Sequence, residues 1–182
     1  VAEISSFQLE TIDTFCPAVS AILNITPDHL NRHKTMECYI DTKFLITKNQ
    51  KKEQLCVLNY EDEVLRERAD KLSCRVEFFS SKQPVENGLY QNENHDIVDG
   101  ENGEILMNMK DSNIPGDHNC ENIMAAILIT RELGVPMKTI LDTVKSFQAV
   151  EHRVEYVCTK NDVEYYNDSK GTNPDAAIKG IQ

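Results

Sequence analysis

Residues 18–29 read Ala18-Val-Ser-Ala-Ile-Leu-Asn-Ile-Thr-Pro-Asp-His29, an apolar run followed by three residues typical of a helix start. The run up to residue 25 is rich in β-branched side chains and predicts a buried strand. Thr26 is suited to be an N-cap, Pro27 to fill the first helical position and Asp28 to lie in the first turn. A buried strand that leads directly into a helix indicates an α/β fold with parallel strands.

The same alternation continues on both sides of this stretch. Apolar runs predict further strands at Val1–Ser5, Gln54–Asn59 and Arg75–Ser80. Between and after them the apolar residues recur at helical spacing, which predicts helices separated by short turns. The predicted helices are Glu37–Asn49, Asp62–Leu72, Asn119–Leu133 and Met137–Phe147. The sequence therefore predicts an α/β fold, with a mostly parallel sheet flanked by helices.

Residues 84–113 depart from this pattern because glycine, asparagine and aspartate punctuate short segments such as Asp96–Val98 and Glu104–Met109. We interpret this region as a small antiparallel β subdomain attached to the main sheet. After residue 150 the pattern restarts with two paired strands, Val154–Cys158 and Val163–Asn167, and with a helix from Pro174. The sequence thus divides into a first domain, residues 1–149, and the start of a second, residues 150–182.

Composition narrows the classes of function. The formal net charge of −11 argues against a surface for nucleic acid or anionic membrane, since phosphates require clustered lysine and arginine. A small anionic ligand is compatible with this net charge, because helix N-termini or metal ions can bind such a ligand. The six cysteines are scattered, which indicates reduced thiols and a cytoplasmic protein. No apolar run is long enough to span a bilayer.

Lys43 is unusual because it lies within an apolar stripe formed by Tyr39, Ile40, Phe44 and Thr47. Burial disfavours the charged form of an amine, and a neutral amine can act as a base or add carbon dioxide to become a carbamate. A carbamate is an anion that can bind a divalent metal. The alternative is that only the stem of Lys43 is buried, while its ammonium group reaches water.

Two further positions carry groups that can bind metal. Glu3 interrupts an apolar strand near its carboxyl end, where ligand sites of parallel sheets gather, and its carboxylate suits Mg²⁺. Asp28 and His29 follow the next strand and suit a metal or phosphate site. His29 and His33 are also four residues apart, a spacing that can bind zinc on a helix. The alternatives are a solvent-exposed acid at Glu3 and simple helix capping by Thr26 and Asp28.

Two segments are suited to a nucleotide. Asn119 and Asn122 place two amides one turn apart at the start of a helix, where paired donors and acceptors suit the edge of a purine. Capping of that helix is the alternative. Asp168 and Lys170 lie at the bend of a strand–turn–helix, where they can contact ribose or phosphates. The chain has no G-x-x-x-x-G-K-[ST] loop.

Taken together, these segments resemble the Mur ligases. The matching stretches appear in the order typical of that family across nearly the whole chain, and the first and last are the most specific. They are Glu3-Ile-Ser-Ser-Phe-Gln-Leu-Glu10, Ile22-Leu-Asn-Ile-Thr-Pro-Asp-His-Leu-Asn-Arg-His33, Lys43 in its helix, Gly116-Asp-His-Asn-Cys-Glu-Asn122, His152-Arg-Val-Glu155 and Asn167-Asp-Ser-Lys170. Asn31 and Gly171 stand where the family usually has aspartate and alanine.

The resemblance implies an ATP-dependent ligase of peptidoglycan precursor synthesis, and it is greatest to the member that joins D-glutamate to UDP-N-acetylmuramoyl-L-alanine. In that reaction a carboxylate attacks the γ-phosphate of ATP to form an acyl phosphate, which the amine then attacks. It also implies that residues 1–149 are a central ATP-binding domain and residues 150–182 begin a Rossmann-like C-terminal domain. We expect a full-length monomer.

The resemblance further assigns residues to ligands. Two Mg²⁺ ions are implied, one held by Glu3 and the other by His29 and a carbamate on Lys43. Arg153 and Lys170 are implied to contact the phosphates of ATP, and Asp168 its ribose. Ser6, Gln8 and His29 are implied to contact the muramoyl-peptide substrate. The side-chain amides of Asn119 and Asn122 are implied to contact adenine.

The family's uridine-diphosphate-binding domain, phosphate-binding loop and D-glutamate-binding region have no counterpart in this sequence. We therefore expect a fragment that is catalytically incomplete by itself and that an unpaired sheet edge inclines to self-association. The alternative functions are another amide ligase of the Mur or folylpolyglutamate type, a metal-dependent phosphohydrolase using Glu3, Asp28 and His29, and a non-catalytic nucleotide-binding module.

Overall fold

The computed structural model describes residues 1–114, 116–148, 152, 155–171 and 178, and the chain divides into two compact units, Val1–Lys145 and Ser146–Gln182. The assignment of residues 1–149 and 150–182 to two named domains stays a prediction. The helix predicted from Pro174 lies outside the described residues. No helix within the described ranges has both the length and the apolar character needed to cross a membrane.

The first unit contains one six-stranded sheet in the order β1-β2-β3-β4-β5-β6. Strands β1 to β4 are parallel neighbours, and β4 to β6 are antiparallel. Its strands are β1 (Val19–Ile22), β2 (Leu55–Asn59), β3 (Arg75–Ser80), β4 (Gly88–Gln91), β5 (Asp96–Asp99) and β6 (Ile105–Asn108). Its helices are α1 (Ser6–Leu9), α2 (Leu30–His33), α3 (Met36–Phe44), α4 (Glu63–Ala69), α5 (Asp117–Glu132) and α6 (Met137–Ser146). The predicted α/β class is confirmed.

The core has two layers, one on each face of the sheet. Successive side chains of a strand point to opposite faces, and β2 buries all of its five residues. Leu55 and Val57 join a cluster with α5 and α6, whereas Cys56 and Leu58 join a cluster with α3 and α4. A strand that is buried on both faces is typical of a parallel sheet covered by helices on each side.

The antiparallel strands β4 to β6 are attached to the edge of the main sheet, as the sequence predicts. Gly88 begins β4 and pairs with Phe78 of β3. Its φ angle is +137°, and a Cβ at this position would lie 1.8 Å from the carbonyl oxygen of Phe78. Only glycine tolerates this close approach, which brings the chain back beside β3 and lets β5 and β6 follow by hairpin pairing.

Two predicted elements are wrong. Val1–Ser5 forms no strand, because no described strand lies beside it and Ser5 instead caps α1 with Gln8 as its capping-box partner. The predicted helix start at Thr26–Asp28 is also wrong. His29 has a left-handed backbone with φ of 53°, which interrupts a right-handed helix, and α2 begins only at Leu30.

The second unit contains an antiparallel pair, β7 (Glu155–Lys160) and β8 (Val163–Asn167), as the sequence predicts. The turn between them uses Asn161 and Asp162, both with positive φ angles. Asparagine and aspartate tolerate that conformation better than other non-glycine residues, and two such residues in succession are typical of a tight hairpin turn.

The C-terminal end of α5 is tied to the sheet by ion pairs. Arg131 donates to Asp99 at 2.5 Å and to Glu77 at 2.8 Å. Burial by itself would lower the pKa of Arg131, but the hydrogen bonds and charges of Glu77 and Asp99 raise it overall. The side chain of Asp99 is nearly buried, so Arg131 compensates a charge that has little access to water.

We expect Arg131→Met to lower the free energy of unfolding by about 1–3 kcal/mol, because it leaves the carboxylate of Asp99 without its cation; partial exposure of the arginine reduces the cost. Urea denaturation measures the change. Adding Asp99→Asn should recover part of the loss. Lys138→Met, which removes an exposed pair with Asp142, is the control and should change stability little. Equal effects of the two single substitutions would contradict the prediction.

Candidate functional site

The three segments that carry the predicted metal ligands are neighbours in the first unit. Glu3 precedes α1, His29 precedes α2, and Lys43 lies near the end of α3. Both α1 and α2 pack against α3. The fold therefore brings together segments separated by about forty residues of sequence, with α3 as their common support.

A series of ring contacts links these segments. The ring of Phe7 lies 4.9 Å from that of His29 and stacks on His33 at 5.8 Å. The ring of His33 is 5.3 Å from that of Tyr39, and the Lys43 ammonium lies 5.8 Å from the centre of the Tyr39 ring. Each ring thus restrains the next from α1 through α2 to α3.

The predicted ligands differ in what they contact. Among the described residues, neither the Glu3 carboxylate nor the Lys43 ammonium has a hydrogen-bond or ion-pair partner, whereas the His29 Nε2 lies 3.4 Å from the Asp28 carboxylate. Lys43 is half-buried rather than fully buried, and its ammonium lies over the Tyr39 ring. The described part of the chain contains no group of three or more His, Cys, Asp or Glu residues placed to hold a metal.

His33 has a structural environment. Its side chain is buried, its Nε2 lies 2.9 Å from the Ser6 hydroxyl, and its Nδ1 lies 3.7 Å from the Glu10 carboxylate. A hydrogen bond from Arg32 lowers the pKa of Glu10, which keeps that carboxylate charged beside the imidazole. Because both ring nitrogens are engaged and His29 lies outside the helix, the zinc-binding interpretation of His29 and His33 is not supported.

The two adjacent serines at the start of α1 lie in different surroundings. Ser6 is buried and its hydroxyl bonds His33, whereas Ser5 is exposed. The Gln8 Oε1 accepts from the backbone and the hydroxyl of Ser5, at 2.8 and 2.9 Å. The resemblance implied Ser6 as a substrate contact, but of the two adjacent serines Ser5 is the exposed one. A capping box recognised in Ser5-x-x-Gln8 would have indicated this arrangement.

Asp62 is a residue that sequence reasoning placed only in a helix start. Its Oδ1 accepts from the amide of Leu65 at 3.2 Å and thereby caps α4. Its Oδ2 accepts from the amide of Ile25 at 2.7 Å, in the loop that leads to Asp28 and His29. One carboxylate therefore fixes the end of β1 to the start of α4 and limits the positions that the His29 loop can adopt.

The two asparagines lie within the first turns of α5. The helix begins at Asp117 with Gly116 as its N-cap, so the capping interpretation of Asn119 and Asn122 is wrong. Asn119 is half-buried and Asn122 is exposed. They are three residues apart and therefore lie on neighbouring positions of one helix face.

Sequence reasoning missed a polar group beside this helix start. It consists of Glu121 of α5, Asn59 at the end of β2 and Ser81 directly after β3. The signal was available, because parallel strands end at the same edge of a sheet and ligand sites gather there.

The second unit holds the other predicted nucleotide residues. The Asn167 amide lies 2.8 Å from the His152 Nδ1, and the backbone amide of Lys170 donates to the carbonyl of His152 at 3.1 Å. A Cβ at Gly171 would lie 2.5 Å from the Asp168 carboxylate, so glycine leaves room for that group. Asp168 is half-buried and Lys170 is exposed. Arg153 lies outside the described residues.

Comparison with known proteins identifies the class. The Mur ligase middle domain matches residues 1–130, and the chain belongs to that family. All of the chain aligns with curated relatives named UDP-N-acetylmuramoylalanine--D-glutamate ligase. It is 56% identical over 183 residues to that of Lachnoclostridium phytofermentans and 50% identical over 182 residues to that of Clostridioides difficile. In each case the chain spans 40% of the relative's length.

Solved structures support the fold. MurF from Acinetobacter baumannii superposes with a TM-score of 0.70 at 19% identity, over 89% of this chain and 36% of that one. MurF ligase from Thermotoga maritima, solved in complex with ADP, gives 0.65 at 21% identity, over 91% of this chain and 39% of that one. At such low identity the likeness concerns the fold alone.

We expect Asp62→Ala to cost about 2 kcal/mol of unfolding free energy, because α4 loses its cap and the His29 loop loses its anchor. Hydrogen exchange should show loss of protection at the Ile25 amide. Thr35→Ala, which removes only the N-cap of α3, is the matched control; it should cost about 1 kcal/mol and leave Ile25 protected. An Ile25 amide that stays protected in Asp62→Ala would contradict the anchoring role.

Proposed function

We propose that this chain is part of a cytoplasmic ATP-dependent ligase that joins D-glutamate to UDP-N-acetylmuramoyl-L-alanine through an acyl phosphate. Its membership of the Mur ligase family and its identity with relatives of that name support the proposal. The observation that carries it is the packing of the Glu3 and His29 segments around α3, beside a Lys43 ammonium that lies over the Tyr39 ring and has no described hydrogen-bond or ion-pair partner.

The donor set fits magnesium in its chemistry. Glu3 supplies a carboxylate without a described partner, and the His29 imidazole lies at the accessible end of the ring series. A carbamate on Lys43 would add the oxygen ligands that Mg²⁺ prefers. In this proposal Glu3 holds one ion, and His29 with the modified Lys43 holds the second. The ions would neutralise the crowded negative charge of phosphoryl transfer.

The chemistry at Lys43 requires no further cofactor. The ammonium first releases one proton to solvent and becomes a neutral amine. The amine nitrogen then adds to the carbon of carbon dioxide, a C–N bond forms as one C=O bond opens to a carboxylate, and a second proton leaves to solvent, which gives a carbamate anion. Half-burial supports this role because the contact between the Lys43 nitrogen and the Tyr39 ring restrains the side chain, while the residue keeps partial contact with solvent. A fully exposed lysine would have no such restraint.

The proposed nucleotide contacts are those that the family resemblance implies. Asn119 and Asn122 would bond the edge of adenine, since one helix face presents two amides with donors and acceptors. Asp168 would bond the ribose. Lys170 and Arg153 would contact the phosphates. The bonds of Asn167 and Lys170 to His152 support this by restraining the loop that carries Asp168.

The muramoyl peptide is proposed to bind near α1 and His29, with Ser6 and Gln8 as the residues implied by sequence. Because Ser6 is buried and bonds His33, we add Ser5, which is exposed and whose hydroxyl bonds only its neighbour Gln8 among the described residues. The partners are small molecules, with neither nucleic acid nor membrane, in keeping with the net charge of −11. The full-length enzyme is proposed to be a monomer.

We expect Lys43→Ala, made in the full-length polypeptide, to reduce ATP-dependent phosphate release with both substrates by at least about a hundredfold, because a metal ligand is lost. A short-chain carboxylic acid should restore part of the activity by standing in for the carbamate. Lys52→Ala removes an exposed lysine elsewhere and serves as the control. Full activity of Lys43→Ala would refute the carbamate, and phosphate release without D-glutamate would favour a phosphohydrolase.

We expect the 182-residue chain by itself to release no phosphate above background from ATP, even with both substrates present, because the family's phosphate-binding loop is not among its residues. The assay follows inorganic phosphate over time, with the full-length polypeptide as the positive control. Clear turnover by the chain alone would show that the missing loop is not required.

A further inference from the structure

We infer that Glu121 is a positioning residue for nucleotide recognition: it fixes the start of α5, and with it Asn119 and Asn122, to the carboxyl ends of β2 and β3. The inference rests on the proposed function, since it assigns a role within the same ATP site. It concerns a residue that would not touch the nucleotide and that acts through its two neighbours in the helix.

The carboxylate of Glu121 bridges two strand ends. Its Oε1 accepts from the Ser81 hydroxyl at 2.7 Å, and its Oε2 accepts from the Asn59 side-chain amide at 3.3 Å. Asn59 is the last residue of β2, and Ser81 directly follows β3. Hydrogen bonds to a carboxylate are stronger than those between neutral groups, so one side chain fastens the helix to two neighbouring parallel strands.

The ends of β2 and β3, which Glu121 joins to α5, are held in place by further hydrogen bonds. The Ser80 hydroxyl is buried; it donates to the Glu61 carboxylate at 2.6 Å and accepts from the amide of Gln83 at 3.0 Å. The Asn59 Oδ1 accepts from the amide of Glu61 at 2.9 Å, which orients its NH₂ group toward Glu121. The anchor of α5 is therefore a rigid part of the sheet edge.

The start of α5 needs such an anchor more than its other end does. Gly116 is the N-cap and offers no side chain to bond the first amides, whereas the C-terminal end has the ion pairs of Arg131 and Glu132. Packing of the apolar face holds the helix against the sheet, whereas hydrogen bonds depend on angle and therefore also fix the orientation of the helix. Glu121 thus restrains the rotation and the axial position of the turn that carries both asparagines.

Recognition of a purine edge by two amides depends on such restraint. Each amide must meet its partner at about 2.7–3.2 Å and in line, so a small shift of the turn weakens both bonds together. The chemical step takes place at the phosphates, away from the base. Loss of Glu121 should therefore weaken ATP binding and raise the KM for ATP while leaving kcat nearly unchanged.

The test measures the Kd of ATP by calorimetry, and kcat and KM by phosphate release, in the full-length polypeptide. We expect Glu121→Ala to raise the Kd and the KM for ATP about tenfold and to change kcat less than about twofold. Glu121→Gln should give a smaller increase, because its oxygen still accepts from Ser81 while its NH₂ group faces that of Asn59. This partial rescue distinguishes positioning from a general loss of stability.

Two further variants complete the test. Glu132→Ala removes the bond from Arg75 at the other end of α5 and should lower the melting temperature without changing the Kd. Asn122→Ala should itself weaken ATP binding. If Asn122→Ala weakens binding and Glu121→Ala does not, the positioning role is wrong and the nucleotide site stands. If neither variant changes the Kd, the proposed adenine site on α5 is wrong and the positioning role falls with it.

Discussion

The structure depends on the burial of β2 on both faces. Its side chains alternate between a cluster under α5 and α6 and a cluster under α3 and α4, while β1 and β3 pair with its two edges in parallel. A one-residue shift of register would exchange the two sets of side chains, so the register is strongly specified. Because β1, β2 and β3 are parallel and in fixed register, their carboxyl ends meet at one edge, where the polar loops collect.

Two carboxylates stabilise that edge. Asp62 joins the loop after β1 to the start of α4, and Glu121 joins the ends of β2 and β3 to α5. In each case one side chain uses both oxygens to fasten two elements that are distant in sequence. The residues proposed to meet metal and nucleotide, His29 and Asn122, lie a few positions from these ties. Hydrophobic burial sets the layers, and directed polar bonds orient the candidate site within them.

Residue chemistry alone selected the candidate ligands, but it did not give their surroundings. Glu3 and Lys43 were selected because a carboxylate and an amine are unusual in apolar surroundings, and His29 because it follows a strand end. The segments of Glu3 and His29 pack on α3, which carries Lys43. Lys43 nevertheless is half-buried, and the segment around Glu3 forms no strand. Helical spacing predicts which side chains share one face of a helix, but it does not predict how deeply a long side chain such as that of Lys43 is buried.

By itself the sequence determined the α/β class, the order of most strands and helices and the membership of the Mur ligases, since apolar periodicity, turn residues and the stretches shared with the family are local features of the chain. Only the tertiary structure decided that β4 turns back beside β3, that Ser6 is buried while Ser5 is exposed, and that His33 is structural. These outcomes depend on partners that are remote in sequence. Which donor meets which acceptor is set by packing, and no local pattern encodes it.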